Sequence, residues 1–332
     1  MNTTYTIDEW HQRRVLVTGA TGMVGSWLTK RLLQAGAYVV ALIRDSDPQS
    51  ELMRSGDIQH VHVVNGALEA YATLERAINE HVIDTVFHLG AQTIVGTALR
   101  SPLSTFEANI RGTYNLLEAC RVHADIVQRV VVASSDKAYG DATTLPYTET
   151  MPLNGRHPYD VSKSCADLIA TTYAHTYDLP ITVTRCGNIY GGGDLNWSNL
   201  VPGTIRSVLH NQRPLLRSDG TFLRDYVFVG DAVEAYLLLA AKTPEAQIKG
   251  ESFNFSLEQP RSVLDMTHAI LTRMERTDLQ PVILNQAHGE IKHQYLDASK
   301  ARALLGWQPR YDLDEGLGQT IAWYRQFLGV GA

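Results

Sequence analysis

Cysteine is scarce in this chain, and what little there is sits apart. Cys120, Cys165 and Cys186 are the only three among 332 residues, an odd and scattered set that excludes a disulfide framework or a zinc site and reads as reduced packing residues. The twelve histidines form no H-x-x-E-H or H-E-x-x-H pattern, so nothing supports a metal site. No apolar run approaches the ~20 residues that a membrane-spanning helix requires. Met1 through His11 lacks the apolar core of a signal peptide, and a cytoplasmic location is expected. Basic blocks are missing as well, and with a net charge of −6 the chain has no footprint for nucleic acid. Repeats, low-complexity stretches and Pro/Ser linkers are absent. What remains is an ordinary globular chain, long enough for one large or two interlocked domains.

Its organisation lies in an alternation. Strand-like apolar runs at 14–18, 38–43, 61–64, 85–89, 129–133 and 181–185 alternate with helical patterns, which predicts an α/β fold with a doubly wound parallel (Rossmann) sheet and right-handed crossovers. Such sheets bind ligands beyond the carboxyl ends of their strands. The first run opens directly into Gly19-Ala20-Thr21-Gly22-Met23-Val24-Gly25, the strand-turn-helix context of a phosphate loop. Gly19 permits the tight turn, Gly22 lets backbone N–H groups approach a pyrophosphate, and Gly25 lets helix and strand pack closely. Leu28, Leu32 and Leu33 carry the helical period that follows. Arg44 and Asp45 stand after the second run. An acid there accepts from the ribose of NAD and an arginine meets the 2′-phosphate of NADP, so NAD is expected and NADP stays open.

A second motif carries chemistry. Tyr159 and Lys163 lie four residues apart in a helical pattern, which makes them neighbours on one face. An ammonium beside a phenol favours the phenolate, lowering a pKa that starts near ~10, and such a tyrosine takes a proton from a sugar or alcohol hydroxyl.

Between and beyond these motifs stand Val86-Phe87-His88-Leu89-Gly90-Ala91-Gln92, Asn109-Ile110-Arg111-Gly112-Thr113, Ser134-Ser135-Asp136-Lys137, Arg185-Cys186-Gly187-Asn188, Arg224-Asp225-Tyr226 and Asp297-Ala298-Ser299-Lys300-Ala301. With them the chain resembles, over nearly its whole length, the extended short-chain dehydrogenase/reductase family of sugar-nucleotide epimerases and dehydratases. The resemblance implies that Ser135 hydrogen-bonds the substrate's 4-hydroxyl beside Tyr159, and that Lys163 holds the cofactor ribose. It marks Gly19, Thr21, Gly22, Met23, Val24, Gly25, Arg44, Leu68, Leu89, Gly90, Ala91, Gln92, Asn109 and Cys186 as cofactor-binding positions, joined by Tyr159 and Lys163. For a nucleotide-diphosphate sugar it marks Thr93, Asn188, Asn199, Leu200, Val201, Arg206, Arg217 and Arg224.

The two residues after Ser135 divide the family. Epimerases resemble one another in having small or neutral residues there, whereas 4,6-dehydratases have an acid and a base, and the Asp136-Lys137 pair is similar to that of the CDP-glucose 4,6-dehydratases. The Gly191-Gly192-Gly193-Asp194 run and Ala287-His288 before Tyr295-Leu296-Asp297 are shared with the same group. Oxidising C4 of a hexose acidifies the C5 hydrogen. Loss of water across C5–C6 then needs one group to take that hydrogen and another to protonate the departing hydroxyl, roles that fall to Lys137 and Asp136. A 4-epimerase needs neither and is the rival enzyme; a dinucleotide-sensing regulator, the rival without turnover, has no use for a Tyr–Lys pair. Two departures stand out. Ala67 replaces the usual adenine-contacting aspartate, and Gln286-Ala287-His288-Gly289-Glu290 lacks a diphosphate arginine, which leaves more of the anion binding to Arg224.

The dinucleotide domain is expected over 12–186, with a return at about 224–240, and a substrate lobe over 187–223 and 241–330. Helical segments 104–121 and 160–177 have apolar residues to spare, among them Leu116, Leu117, Leu168 and Ile169. The family resemblance implies that they pair in a homodimer's four-helix bundle; a wider monomer core is the alternative.

Overall fold

A computed structural model describes residues 7–286 and 290–330. Six of its strands fall where the apolar runs predict: β1 (Arg14–Thr18), β2 (Tyr38–Ile43), β3 (His62–Asn65), β4 (Thr85–His88), β5 (Arg129–Ala133) and β6 (Ile181–Cys186). Helices α1 (Met23–Gln34), α2 (Glu51–Arg54), α3 (Tyr71–Glu80), α4 (Val95–Arg100), α5 (Pro102–Phe106), α6 (Gly112–Val122) and α7 (Pro158–Tyr177) lie between or beside them. The later chain adds short strands β7 (Asn188–Tyr190), β8 (Leu215–Leu216), β9 (Leu223–Arg224) and β10 (Tyr226–Phe228), with α8 (Leu200–Leu209) and α9 (Val229–Lys242). It continues through β11 (Ser252–Phe255), β12 (Arg261–Ser262), α10 (Val263–Arg273), β13 (Val282–Ile283), β14 (His293–Gln294) and α11 (Leu313–Leu328).

The central sheet has the order β11-β6-β5-β4-β1-β2-β3, and its neighbouring strands are parallel. Strands such as β4 and β6 are buried along their whole length, as expected where helices cover both faces. Winding runs one way from β1 through β3 and the other way from β4 onward, so the β1/β4 boundary is the switch point where such sheets open a ligand crevice.

Three expectations need correction. Residues 252–255, placed with the lobe by sequence, form β11 and extend the central sheet beside β6. The segment 104–121 is not one regular helix: a π-helical turn at Glu107–Arg111 joins α5 to α6. Leu116 and Leu117, counted as spare for a bundle, are fully buried inside the monomer's own core, while Leu168 is 56% exposed.

The lobe is made of small pieces: β7 beside β10, β8 beside β13, and β9 between β12 and β14. Helix α11 closes the molecule against its beginning. A Cβ on Gly192 would lie 2.3 Å from the Trp323 ring; Trp27 donates its indole N–H to Gly192 O at 2.8 Å, and Trp323 donates to Glu51 at 2.7 Å.

Candidate active site

The glycine loop follows β1 at the switch point. Gly19 has φ +75°, and a Cβ there would come 2.7 Å from Gly90 N; on Gly25 it would come 2.0 Å from Gly19 O. Both glycines are therefore required by close backbone packing. Gly22 differs, since a Cβ there would meet only Gly19 O at 3.3 Å, so the protein's own packing does not demand a glycine at this exposed N-cap. The first turn of α1 contains no acidic side chain and no side-chain cap, which leaves its N–H groups and dipole directed at an anion. Thr21, Met23 and Val24 flank this position, partly buried. These residues fit a dinucleotide's pyrophosphate.

The loop after β4 is held from beneath by His88. The Thr113 hydroxyl donates to Asn109 O at 2.6 Å, so it must accept the His88 Nε2–H at 3.0 Å. Nδ1 is then an acceptor for the Thr18 hydroxyl at 2.8 Å, and that oxygen in turn accepts the Gly90 N–H at 3.0 Å. Every proton in the chain is assigned. Burial, reinforced by Lys163, pushes the imidazole down to about 3, so it stays neutral. Asn109, on the π-helical turn, accepts from Gln92 N at 2.7 Å and donates to Gln92 O and to Ser162, each at 2.9 Å. Ser162 donates to Tyr159 O at 2.7 Å. One side chain thus ties the loop Leu89–Gln92 to the helix that carries Tyr159 and Lys163. Leu68 is buried against Gly90 and Gly112, and Asn115 donates to Leu68 O and Glu69 O, pinning the loop after Ala67. Arg44 lies exposed, paired at 2.6 Å with an equally exposed Asp45. Cys186 is buried with its thiol pushed up to about 12 by burial and by Asp136, an inert packing group.

Tyr159 and Lys163 project from the first turns of α7, behind a proline at its start. Both are buried. The expected lowering of the Tyr159 pKa is not what surrounds it: burial and the nearby Asp136 push the phenol up, and only a hydrogen bond with Ser135 draws it down. Lys163 donates to Ala133 O at 2.7 Å, and burial pushes its ammonium down to about 8, opposed by Asp167.

Ser135, two residues past β5, caps a 3₁₀ turn, Asp136–Tyr139. Its hydroxyl donates to Asp136 Oδ1 at 2.9 Å, while Asp136 Oδ2 is buried without a partner. Asp136 is 2% exposed and forms no ion pair with Lys137. Lys137 instead donates to the side-chain oxygen of Gln294 at 2.9 Å. Asp160, buried beside Tyr159, has its carboxyl pushed up by burial and pulled down by Lys137. Neither Asp160 nor Gln294 announces itself in the sequence: one sits where helix-start carboxylates are routine, the other in an irregular tail.

Substrate-side positions divide into groups. Arg224 is buried and donates to Leu223 O and Lys292 O, with Glu290 3.8 Å away; it pairs with neither Asp225 nor Asp231. Asp225 instead accepts from Ser256 and Leu296 N, and Asp231 from Arg310 N. Arg206 and Arg217 converge on one lobe turn, Arg206 over the Trp197 ring at 4.8 Å and Arg217 donating to Ser198 O at 3.2 Å. Asn199 caps α8 by position and donates to Asp194 at 2.8 Å, with Leu200 and Val201 in the turn behind it. Asn188 lies half-buried on β7 and Thr93 is exposed past the loop Leu89–Gln92. Of Gln286–Glu290, residues 287–289 lie outside the described part, and Ala287-His288 with them.

Comparison with known proteins gives this geometry its relatives. A family model described as GDP-mannose 4,6 dehydratase matches residues 16–320. The CDP-glucose 4,6-dehydratase of Salmonella typhimurium is 30% identical, over 96% of this chain and 92% of that one. A UDP-glucose 4-epimerase of Mycolicibacterium smegmatis is 31% identical, over 94% and 98%. The crystal structure of a dTDP-glucose 4,6-dehydratase from Streptomyces venezuelae with NAD bound superposes with a TM-score of 0.85 at 27% identity, covering 95% of this chain and 98% of that one. Matched from the first strand of its sheet into its last helix, and akin to dehydratases and an epimerase alike, the chain belongs to the extended short-chain dehydrogenase/reductase family of nucleotide-sugar dehydratases and epimerases, under the GDP-mannose 4,6 dehydratase model.

Proposed function

We propose that the protein is an NAD-dependent nucleotide-sugar 4,6-dehydratase acting on a CDP-glucose-like substrate and releasing the 4-keto-6-deoxy sugar. One observation carries the reading: Asp136 is buried beside Lys137 with a carboxyl oxygen lacking a partner, an acid and a base at a reaction centre where epimerisation needs neither. The glycine loop Gly19–Gly25, Leu68, Leu89–Gln92 and Lys163 would hold NAD, with Asn109 setting the loop and Cys186 forming part of its wall. NAD, when bound, supplies a hydride acceptor for C4, a hydride donor for C6 and positive charge beside Tyr159. Binding of NAD in the Streptomyces venezuelae relative supports that choice.

Tyr159 Oη takes the proton of the 4-hydroxyl while Ser135 orients that hydroxyl. With C4 a ketone, Lys137 Nζ takes the C5 proton and the C5–H electron pair becomes the second bond of C5=C6. The C6–O bond breaks, and its oxygen leaves as water with a proton from Asp136 Oδ2, the atom that lacks a partner. Arg224, with Asn188, Asn199 and the first turn of α8, takes the diphosphate end, and Arg206 and Arg217 border the nucleotide.

Leu99, Leu103, Tyr114, Leu168 and Tyr177 form exposed apolar surface on the helices around α6 and α7, which supports a homodimer through a four-helix bundle. The three cysteines are unpaired, in keeping with a reducing cytoplasm, and no helix among the described residues is long and apolar enough to cross a membrane.

Incubation of the purified protein with CDP-, dTDP-, GDP- and UDP-hexoses, read by product mass, tests the reading. Loss of one water from a single nucleotide sugar is expected, CDP-glucose first. An unchanged mass with inverted C4 would establish the epimerase instead, the reading favoured by the likeness to the Mycolicibacterium smegmatis enzyme.

A further inference from the structure

We propose that Gln294 is a positioning residue that aims Lys137 at C5, and that the substrate lobe thereby sets the elimination step. The inference rests on the dehydratase reading. Gln294 is fully buried on β14, and its carboxamide can be oriented without ambiguity. The Tyr147 hydroxyl donates to Gly140 O at 2.6 Å, so toward Gln294 its oxygen can only accept. The amide nitrogen therefore faces Tyr147, whose phenol burial pushes up and this amide weakly opposes, at looser than hydrogen-bond geometry. The amide oxygen is left facing Lys137 Nζ, at 2.9 Å.

The neighbourhood makes that contact unexpected. Two buried carboxyl groups lie around Lys137: Asp136 on its own turn, and Asp160 from α7, whose carboxyl it draws down. A lysine in such company ordinarily collapses onto a carboxylate, yet Lys137 has no ion pair among the described residues and bonds a neutral amide instead. An amide holds one N–H of the amine and neither takes nor gives a proton. A carboxylate at 294 would lock the ammonium, and an aliphatic side chain would release it toward Asp136 and Asp160. Gln294 also stands directly opposite Arg224 in the β14–β9 register, so the strand pair expected to hold the diphosphate also fixes the base. Binding of the substrate's far end and placement of the group that attacks C5 thus share one piece of backbone.

The test uses purified holoenzyme with CDP-glucose in deuterium oxide, comparing the parent with Gln294→Met, Gln294→Glu and Lys137→Met. In both Gln294 variants, C5 exchange and water loss should fall by about 10²-fold, the scale for a displaced catalytic group. KM and the single-turnover rise of reduced-nicotinamide absorbance should stay near the parent's. Glu keeps the shape of Gln, so it carries the test if Met disturbs folding. Parent-like C5 exchange in both Gln294 variants, with exchange lost in Lys137→Met, would overturn the positioning role and leave the base assignment standing. Equal slowing of C4 oxidation and C5 exchange would also overturn it, because a merely structural defect does not choose between steps. Parent-like exchange in Lys137→Met itself would remove the base, and this inference with it.

Discussion

The two sides of the crevice are built on different terms. Beneath the loop Leu89–Gln92, Thr18, His88, Thr113, Asn109 and Gln92 satisfy one another through hydrogen bonds whose direction is fixed. Across from it, Asp136 Oδ2, Ser134 Oγ and Gln294 Nε2 are buried and left short of partners. Buried polar groups are ordinarily paired, and an unpaired one costs roughly 1–3 kcal/mol. The first side is a frame complete in itself. The second stores its unmet bonding where the sugar is expected.

The comparison is sharpest at Tyr159, which belongs to the reacting side although the frame carries it. Tyr159→Phe should lower turnover by ~10² or more, the usual scale for a positioned acid–base group, while nucleotide and cofactor binding, followed by calorimetric titration, stay close to the parent. Near-normal turnover would mean that the phenol takes no proton, and the division would fail at its centre.

The frame should answer to pH rather than to substrate. Burial holds the folded His88 at about 3, against 6.5 for a free imidazole. Between those values the unfolded chain binds the extra proton, so this residue's share of stability is complete above pH 6.5 and is lost as pH falls toward 3. The slope is at most about 1.4 kcal/mol per pH unit. His88→Asn should be less stable at neutral pH yet show a flatter acid limb of Tm against pH. Parallel limbs in parent and variant would dissolve the idea of a neutral, locked imidazole.

The smallest effect belongs to Arg44, outside both sides. Exposed and paired with Asp45, it should change stability by no more than about 0.5 kcal/mol when replaced by Ala, with NAD affinity nearly intact. A selective loss of NADP affinity in that variant would instead bring Arg44 into the frame as a 2′-phosphate ligand.

The same division governs what the sequence made legible. The frame announces itself because backbone sterics write it in glycine: Gly19 and Gly25 have no room for a Cβ, and the apolar runs of β1 to β6 must be buried on both faces. Tyr159 and Lys163 were visible by helical spacing, but their charge state was not, because desolvation depends on everything that surrounds a group. β11 escapes because Ser252-Phe253-Asn254-Phe255 is short and half polar, and the buried Asn254 side chain is satisfied by distant partners, donating to Tyr147 O and Asp297 O and accepting from the Tyr139 hydroxyl. The π-helical turn at Asn109 leaves no mark in an otherwise regular period. Gln294 reaches Lys137 across 157 residues of chain, a meeting that no local pattern encodes.

The seam between the two ends of the chain bears on how such a molecule comes into being. Trp323 reaches Glu51 across 272 positions, and its ring fills the space that Gly192 leaves open beside Trp27. During synthesis the glycine loop leaves the ribosome well before α11, whose Trp323 bonds Glu51 of α2. Contacts so distant in sequence form slowly, and chains of this size gather native structure in stages. The glycine loop is therefore written before the seam that joins α11 to α2 and Gly192 can close.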